Sequence, residues 1–451
     1  MLLVWMCAWA DELRDVADRW APNIYQDVAD GPWNDADLRR QDLLTTVNYD
    51  GNFDAFDNEE NIDDFTLPPA VYYDIVETET HYFILYSFFH PIDWNDAGFV
   101  DHENDMEHAW LVVEKHLDGT QTLLVAHTQA HGQFFGWSES DLTGNFQLAK
   151  GGLSMDGDHV QLFIEAHGHG PASCTYSGGL PFTQSIDCSP DASEDLVIFR
   201  VEPGVEANTL AEPDVSDGGI VESGYALVSA HDVLWPLRSN IEDTHADPEV
   251  WDDPFRYAPA RNADFDSGND VVMAAGLANF GGNFAGDEGG GGGVPPWGYL
   301  ADDSWTGGNT FGAQGDWLID PAELFSILYR NYACSDREAF FNYLANPYID
   351  DVVDAAAPRP WGGVDEGRRC DGTVTAAPDS GGDSGGDTGR ASEDTGHGGQ
   401  ADTNSDADAP PDSSGNACGC VAAMTSPPSG FAWVLFVAVL TTANRRRRRN
   451  S

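Results

Sequence analysis

Between Asp101 and Lys115 the chain reads DHENDMEHAWLVVEK, which places four carboxylates and two imidazoles within eight residues, directly before an apolar run. Carboxylate oxygens and imidazole nitrogens aimed at one point suit a hard or borderline divalent ion, Ca²⁺ or Mg²⁺ first and Mn²⁺ or Zn²⁺ next. If a strand begins near Asp105, then Asp105 and Glu107 share one face and His102 folds back toward them from the preceding loop. His108 and Trp110 then form a pair on the opposite face. Upstream, Asp93 and Asp96 could add a further oxygen. The competing reading is an acidic turn whose carboxylates are solvated or cap backbone amides.

A second cluster lies in HVQLFIEAHGHG, which ends in His167-Gly168-His169-Gly170. Glycine on both sides of His169 lets backbone pack close to whatever the imidazole faces. A histidine at a strand end is more often a hydrogen-bonded structural residue than a ligand, so His167 and His169, with His108, are read as supports around the ion. Ten of the thirteen histidines fall between His81 and His169, a concentration that acidic composition does not explain. YDGNFDAFDNEEN, Tyr49 to Asn61, offers Asp50, Asn52 and Asp54 at calcium-loop spacing, but Ala55 and Asn61 replace the glycine and glutamate of an EF-hand. It is either another calcium turn or an Asx-rich turn. No nucleophile elbow is present, and GDEGGGGGVPPWG lacks the Gly-Lys-Ser/Thr of a phosphate cradle.

The elements that must position these groups read as mainly β. AVYYDIVE, HYFILYSFF, EHAWLVVE, TQTLLVAH, HVQLFIEA and EDLVIFRVE are rich in Val, Ile, Tyr and Phe and are separated by turn residues. This pattern predicts an antiparallel β-sandwich with a few peripheral helices. ADELRDVADRW is amphipathic, and DPAELFSILYRNY opens with Asp320 as N-cap and Pro321 at the first helical position.

With 76 acidic and 21 basic residues in 451, the formal charge is -55. That balance excludes a nucleic-acid backbone as partner and favours cations or a well-solvated extracellular surface. It also makes spacing, rather than charge, the useful signal. Residues 1–10 carry a short apolar run and the small-x-small sequence Ala8-Trp9-Ala10, which reads as a truncated signal peptide. Residues 11–205 form the metal-binding β domain, and 206–372 continue it or form a second subdomain. Residues 373–417, almost wholly Asp, Ser, Gly, Thr, Pro and Ala, read as a disordered tether. Residues 418–451 hold Cys418 and Cys420, the apolar run GFAWVLFVAVLTTA as a membrane helix, and Arg445, Arg446, Arg447, Arg448 and Arg449. The run is 14 residues, shorter than the usual span of about 20. The arginines would stay cytoplasmic and leave the bulk of the chain outside. For an exported chain, Cys174, Cys188, Cys334 and Cys370 are disulfide candidates for two bridges, whose connectivity spacing alone does not fix.

The Cys, apolar helix and arginine order resembles the C-terminal sorting signal of myxobacterial surface proteins, which implies processing by an intramembrane sorting protease and a protein anchored at, or released from, the outer surface. His102, Asp105, Glu107 and His108 resemble the His-x-x-Asp-x-Glu-His core of the necrosis-inducing-protein-like cytolysins. The Asp-x-Glu strand followed by a Gly-His strand end also looks like the vacuolar-protein-sorting-associated family. Met106 stands where the cytolysins usually have Trp. The resemblance implies a divalent cation at the edge of a β-sandwich, held by His102, Asp105 and Glu107, with the family's further aspartate falling near Asp93.

These features together lead us to expect a surface-anchored, metal-binding protein that recognises a glycan or lipid ligand without turning it over. The alternatives are a metal-dependent hydrolase with Glu107 or His169 as general base, and a structural or adhesive surface protein.

Overall fold

The computed structural model describes residues 12–28, 38–94, 102–130, 133–138, 149–175, 195–237, 321–329 and 338–348, with positions 142, 188, 284, 293, 295–297, 318 and 332. The chain divides into two compact units, Met1–Ser380 and Gly381–Ser451, and all described residues belong to the first. The leader, the tether, Asp96, Asp320, Cys334, Cys370, Cys418, Cys420 and Arg445 to Arg449 lie outside the described residues. Among the described residues no helix is long and apolar enough to cross a membrane.

The strands are β1 (Asn23–Asp27), β2 (Ala70–Thr78), β3 (His81–Asp93), β4 (His102–Lys115), β5 (Gln121–Ala130), β6 (Gln133–Trp137), β7 (Ala149–Gly151), β8 (Met155–Asp156), β9 (His159–Ile164), β10 (Pro171–Ser173), β11 (Leu196–Val201), β12 (Ile220–Ser229) and β13 (Tyr343–Ala345). All six strand-like runs are strands. The helices are α1 (residues 12–20), α2 (Asn58–Asn61), α3 (Ala230–Val233), α4 (Pro321–Leu328) and α5 (Glu338–Phe341).

The expected antiparallel sandwich is replaced by one hydrogen-bonded path in the order β10-β9-β1-β11-β12-β2-β3-β4-β5-β6-β7. Its pairing is mixed. β1 runs parallel to β9, and β12 runs parallel to both β11 and β2. The path curves until β10, at one end, returns against β4 and β5, so the sheet is nearly closed, like a barrel. Parallel neighbours need long crossovers, and the chain supplies them by returning to β12 long after β2. This long-range return leaves no mark in local sequence.

The central hairpin is buried on both faces. Tyr82, Ile84, Tyr86 and Phe88 of β3 join Ala109 and Leu111 of β4 in the interior cluster, which also takes in Leu162, Val197 and Tyr225 from the far side. The alternate residues Phe83, Leu85, Phe89, Met106, Trp110 and Val112 belong to a second cluster. There they meet Leu234 and Trp235 after α3, Phe325 of α4 and Phe340 of α5. Double burial explains why HYFILYSFF is continuous rather than alternating. Each fully buried aromatic contributes about 1.5–3 kcal/mol to this arrangement. The elements after residue 205 therefore complete the sheet and cover its outer face.

Two tyrosines bind the cover to buried histidines. Tyr329 Oη lies 2.8 Å from His127 Nε2, and Tyr332 Oη lies 2.8 Å from His81 Nε2. Burial holds His127 down to about 3 and His81 well below the usual imidazole range, so both stay neutral.

Cys174 and Cys188 are disulfide-bonded, with Cα atoms 5.5 Å apart. They close a 14-residue separation between β10 and β11. A loop of this length should contribute about 3 kcal/mol through the unfolded state. Reduction, or Cys174→Ser with Cys188→Ser, should lower the unfolding free energy by roughly that amount in denaturant titration. An unchanged midpoint would contradict a stabilising role for the bridge.

Candidate metal centre

The candidate ligands gather at the loop end of the β3–β4 hairpin, where β3 finishes at Asp93 and β4 begins at His102. Asp93 pairs in register with His102, and His90 pairs with Asp105. Ligand atoms of Asp93, His102 and Asp105 all lie within 4.8 Å of one another. His102 Nε2 is 3.4 Å from Asp93 Oδ2.

His102 is the first residue of β4, not part of the preceding loop as expected. In a regular strand, residues three apart face opposite sides. Asn104, between His102 and Asp105, breaks the alternation by adopting a left-handed φ of 57°. Asparagine tolerates that conformation better than most residues. Asn104 Nδ2 donates to Ala55 O at 2.6 Å, its Oδ1 accepts from Asn58 Nδ2, and Glu103 Oε1 accepts from Glu59 N at 3.2 Å. Asn52 N–H donates to Asp50 Oδ1, Asp54 N–H to Asn52 Oδ1 and Phe56 N–H to Asp54 Oδ1, so Tyr49 to Asn61 is an Asx ladder that braces the start of β4. From another side Gly293 approaches so closely that a Cβ there would lie 1.9 Å from Asn104 O.

Asp105 and Glu107 are both buried, and His108 Nδ1 turns away to Ser87 Oγ at 2.9 Å, as the alternation requires. Glu107, however, belongs to no group of three ligand atoms within 4.8 Å of one another among the described residues; of the four expected ligands, Asp93, His102 and Asp105 come together.

Behind Asp105 stands His169. Its Nδ1 lies 3.1 Å from Asp105 Oδ2 and its Nε2 lies 3.3 Å from Asp42 Oδ1. The same Asp42 oxygen accepts the backbone N–H of His167 at 2.7 Å and Trp94 Nε1 at 3.3 Å. His167 and His169 both have positive φ, 72° and 52°. Each such conformation costs about 1–3 kcal/mol and persists only where the surroundings hold it; Asp42 holds both residues, through His167 N–H and His169 Nε2. His167 rests against Trp94, with ring centroids 3.8 Å apart. It supports the β3 end rather than pointing at the ligands.

His90, Asp105 and His169 also bring ligand atoms within 4.8 Å of one another. Yet the rings of His90 and His169 stack at 3.7 Å with planes 6° apart. Imidazole lone pairs lie in the ring plane, so one ion at a bond length of about 2.1 Å cannot sit in both planes. Gln26 Nε2 donates to Asp27 O at 3.2 Å and Glu165 O at 3.5 Å, which turns Gln26 Oε1 toward His90 Nε2 at 3.1 Å. His90 therefore carries its proton on Nε2. Burial, then the neighbouring His169 charge, holds it well below the usual range, and it stays neutral. This group is a support, and Asp93, His102 and Asp105 are the ligand set.

Asp42 and His90 were not singled out from sequence. Asp42 is one acid among 76, and His90 sits in an apolar run before Pro91; only the histidine count pointed toward the latter.

Burial opposes charge on His102 and His169, but carboxylates outweigh it and push each up to about 9. Asp93 and Asp105 act on His102, and Asp105 and Asp42 on His169. With both nitrogens facing carboxylates, His169 has no lone pair to act as the general base of a hydrolase.

No protein-family model matches the sequence, and no curated protein matches it. Solved structures that align with it include one described as a toxin fold for microbial attack and plant defense, at 16% identity and a TM-score of 0.24, covering 38% of this chain and 71% of that chain. NLPPya in complex with glucosamine aligns at 16% identity and a TM-score of 0.24, covering 38% and 70%. Necrosis and ethylene inducing protein 2, from the causal agent of cocoa's witches' broom disease, aligns at 18% identity and a TM-score of 0.21, covering 36% and 69%. Alignment at this level assigns no role to any residue of this chain.

Two outcomes are expected. A group raised from 6.5 to about 9 stabilises the fold fully below pH 6.5 and loses that contribution as pH rises through 9. The melting temperature of chelator-treated protein should therefore fall steadily between those values, and a flat profile would contradict the two ion pairs. Gly293→Ala should destabilise by about 1–3 kcal/mol through overpacking against Asn104, measured by denaturant titration; an unchanged midpoint would show that the close approach is dispensable.

Proposed function

We propose that the protein binds one divalent cation through Asp93, His102 and Asp105, and that the ion's remaining positions hold an oxygen-rich ligand, a glycan or lipid head group. The observation that carries this reading is the convergence of three ligand atoms within 4.8 Å at the end of one hairpin. The Asp93 and His102 side chains keep 17% and 21% of their exposure, whereas Asp105 is buried, so the ion would face solvent on one side. Three protein ligands leave about three positions of an octahedral ion to water. Sugar hydroxyls and phosphate oxygens are hard donors that replace such water. The commitment of His169 to Asp42 and Asp105 removes one of the two candidate general bases of a hydrolase.

In this reading the leader in residues 1–10 exports the chain, and residues 418–451 hold it at the outer surface until a sorting protease acts. Support comes from the acidic composition and from the disulfide Cys174–Cys188, a bond that persists in oxidising compartments.

Calorimetric titration with Mg²⁺, Mn²⁺, Ca²⁺ and Zn²⁺ tests the site. Binding heat should disappear in Asp93→Ala with Asp105→Ala, and retention of glycans or anionic vesicles should disappear with chelator. Equal heats for wild type and the double variant would refute the ligand set; retention that ignores chelator would refute the bridging role. Because the His102 imidazolium must lose its proton to ligate, affinity should rise with pH up to about 9. A pH-independent affinity would exclude His102 as a ligand.

A further inference from the structure

Asp105 meets His169 through one oxygen, Oδ2, at 3.1 Å. The opposite ring nitrogen faces Asp42 Oδ1 at 3.3 Å. Carboxylates carry no proton of their own, so both ring nitrogens are N–H. Asp42 and His169 are fully buried and Asp105 is 4% exposed, so no water replaces these bonds. The His90 ring stacked at 3.7 Å prevents His169 from tilting out of line. His167 N–H and Trp94 Nε1 hold Asp42 in turn. Among the described residues the His169 bond engages Asp105 Oδ2, which leaves Oδ1 for an ion.

We propose that His169, locked by Asp42 and His90, makes Asp105 a one-oxygen ligand and thereby tunes the site toward small octahedral ions, Mg²⁺ and Mn²⁺, against Ca²⁺. This inference rests on the cation site proposed above. Ca²⁺ takes six to eight oxygens and gains most from two-oxygen carboxylates, whereas Mg²⁺ keeps six short bonds and several waters. An N–H on Oδ2 takes one lone pair of that oxygen and fixes the rotation of the carboxylate, which disfavours turning both oxygens toward one ion. The His102 nitrogen further favours Mn²⁺ over Ca²⁺. His169 is a positioning residue here: it never touches the ion.

The test is a set of dissociation constants for Mn²⁺, Mg²⁺ and Ca²⁺, measured by calorimetry on the full chain as wild type, His169→Gln and His169→Leu. Wild type should bind Mn²⁺ at least about tenfold more tightly than Ca²⁺. His169→Leu removes the donor and should narrow that ratio to within about threefold, while His169→Gln, which keeps an N–H toward Asp105, should retain it. Should His169→Leu fail to fold, Asp42→Asn, which loosens His169, should narrow the ratio in the same direction. Tighter binding of Ca²⁺ than Mn²⁺ by wild type, or an unchanged ratio in folded His169→Leu or Asp42→Asn, would overturn the inference. Absence of heat with all three ions would instead remove the cation site on which it stands.

Discussion

A single imidazolium, His169, lies buried between two carboxylates, Asp42 and Asp105, in a protein whose net charge is -55. Taking each such group out of water costs several kcal/mol. Opposite charges 4 Å apart attract by about 4 kcal/mol at an effective dielectric of 20. The two ion pairs therefore roughly offset the desolvation of three charges, and removal of any member would leave the others uncompensated. The three residues come from separate stretches of chain: a 3-10 turn at Arg39–Asp42, β4, and the turn after β9. The balance of charge thus dictates where three segments must meet. The left-handed His167 and His169, the stacked His90 and the Trp94 contact follow from that requirement.

The ligand set is a consequence of the same constraint. Asp105 is fixed from behind by His169, and β4 is turned at Asn104 so that His102 arrives on the side of Asp105. The acidic ladder from Tyr49 to Asn61 and the glycine at 293 press on that turn from different directions. The Asx turn at Asp50, Asn52 and Asp54, together with Gly293, therefore acts as scaffolding for a short stretch of strand.

How much of this was legible depended on the range of the interaction concerned. Side-chain shape is local, and all six β-branched and aromatic runs are strands. The alternation that places His108 opposite Asp105 was legible for the same reason, as was the Asx chemistry of Asp50, Asn52 and Asp54. Strand order was not, because β12 joins β11 to β2 through parallel pairings set by long crossovers. Sharing a face with Asp105 does not bring Glu107 into the ligand cluster among the described residues, whereas Asp93, expected near the site, stands in it across the hairpin. His102 was misplaced because one left-handed residue resets the strand period, and an asparagine among acids does not announce that role. Asp42 was hidden by composition, since burial rather than charge distinguishes it.

If Asp93, His102 and Asp105 hold one ion and His90 and His169 only support it, crystals grown with Mn²⁺ and measured at its absorption edge should show one strong anomalous peak. That peak should lie at bonding distance from an Asp93 oxygen, a His102 nitrogen and a single Asp105 oxygen, with His169 still on the other. A peak bonded to His90 or His169, or no peak at the hairpin end at saturating Mn²⁺, would contradict this ligand set.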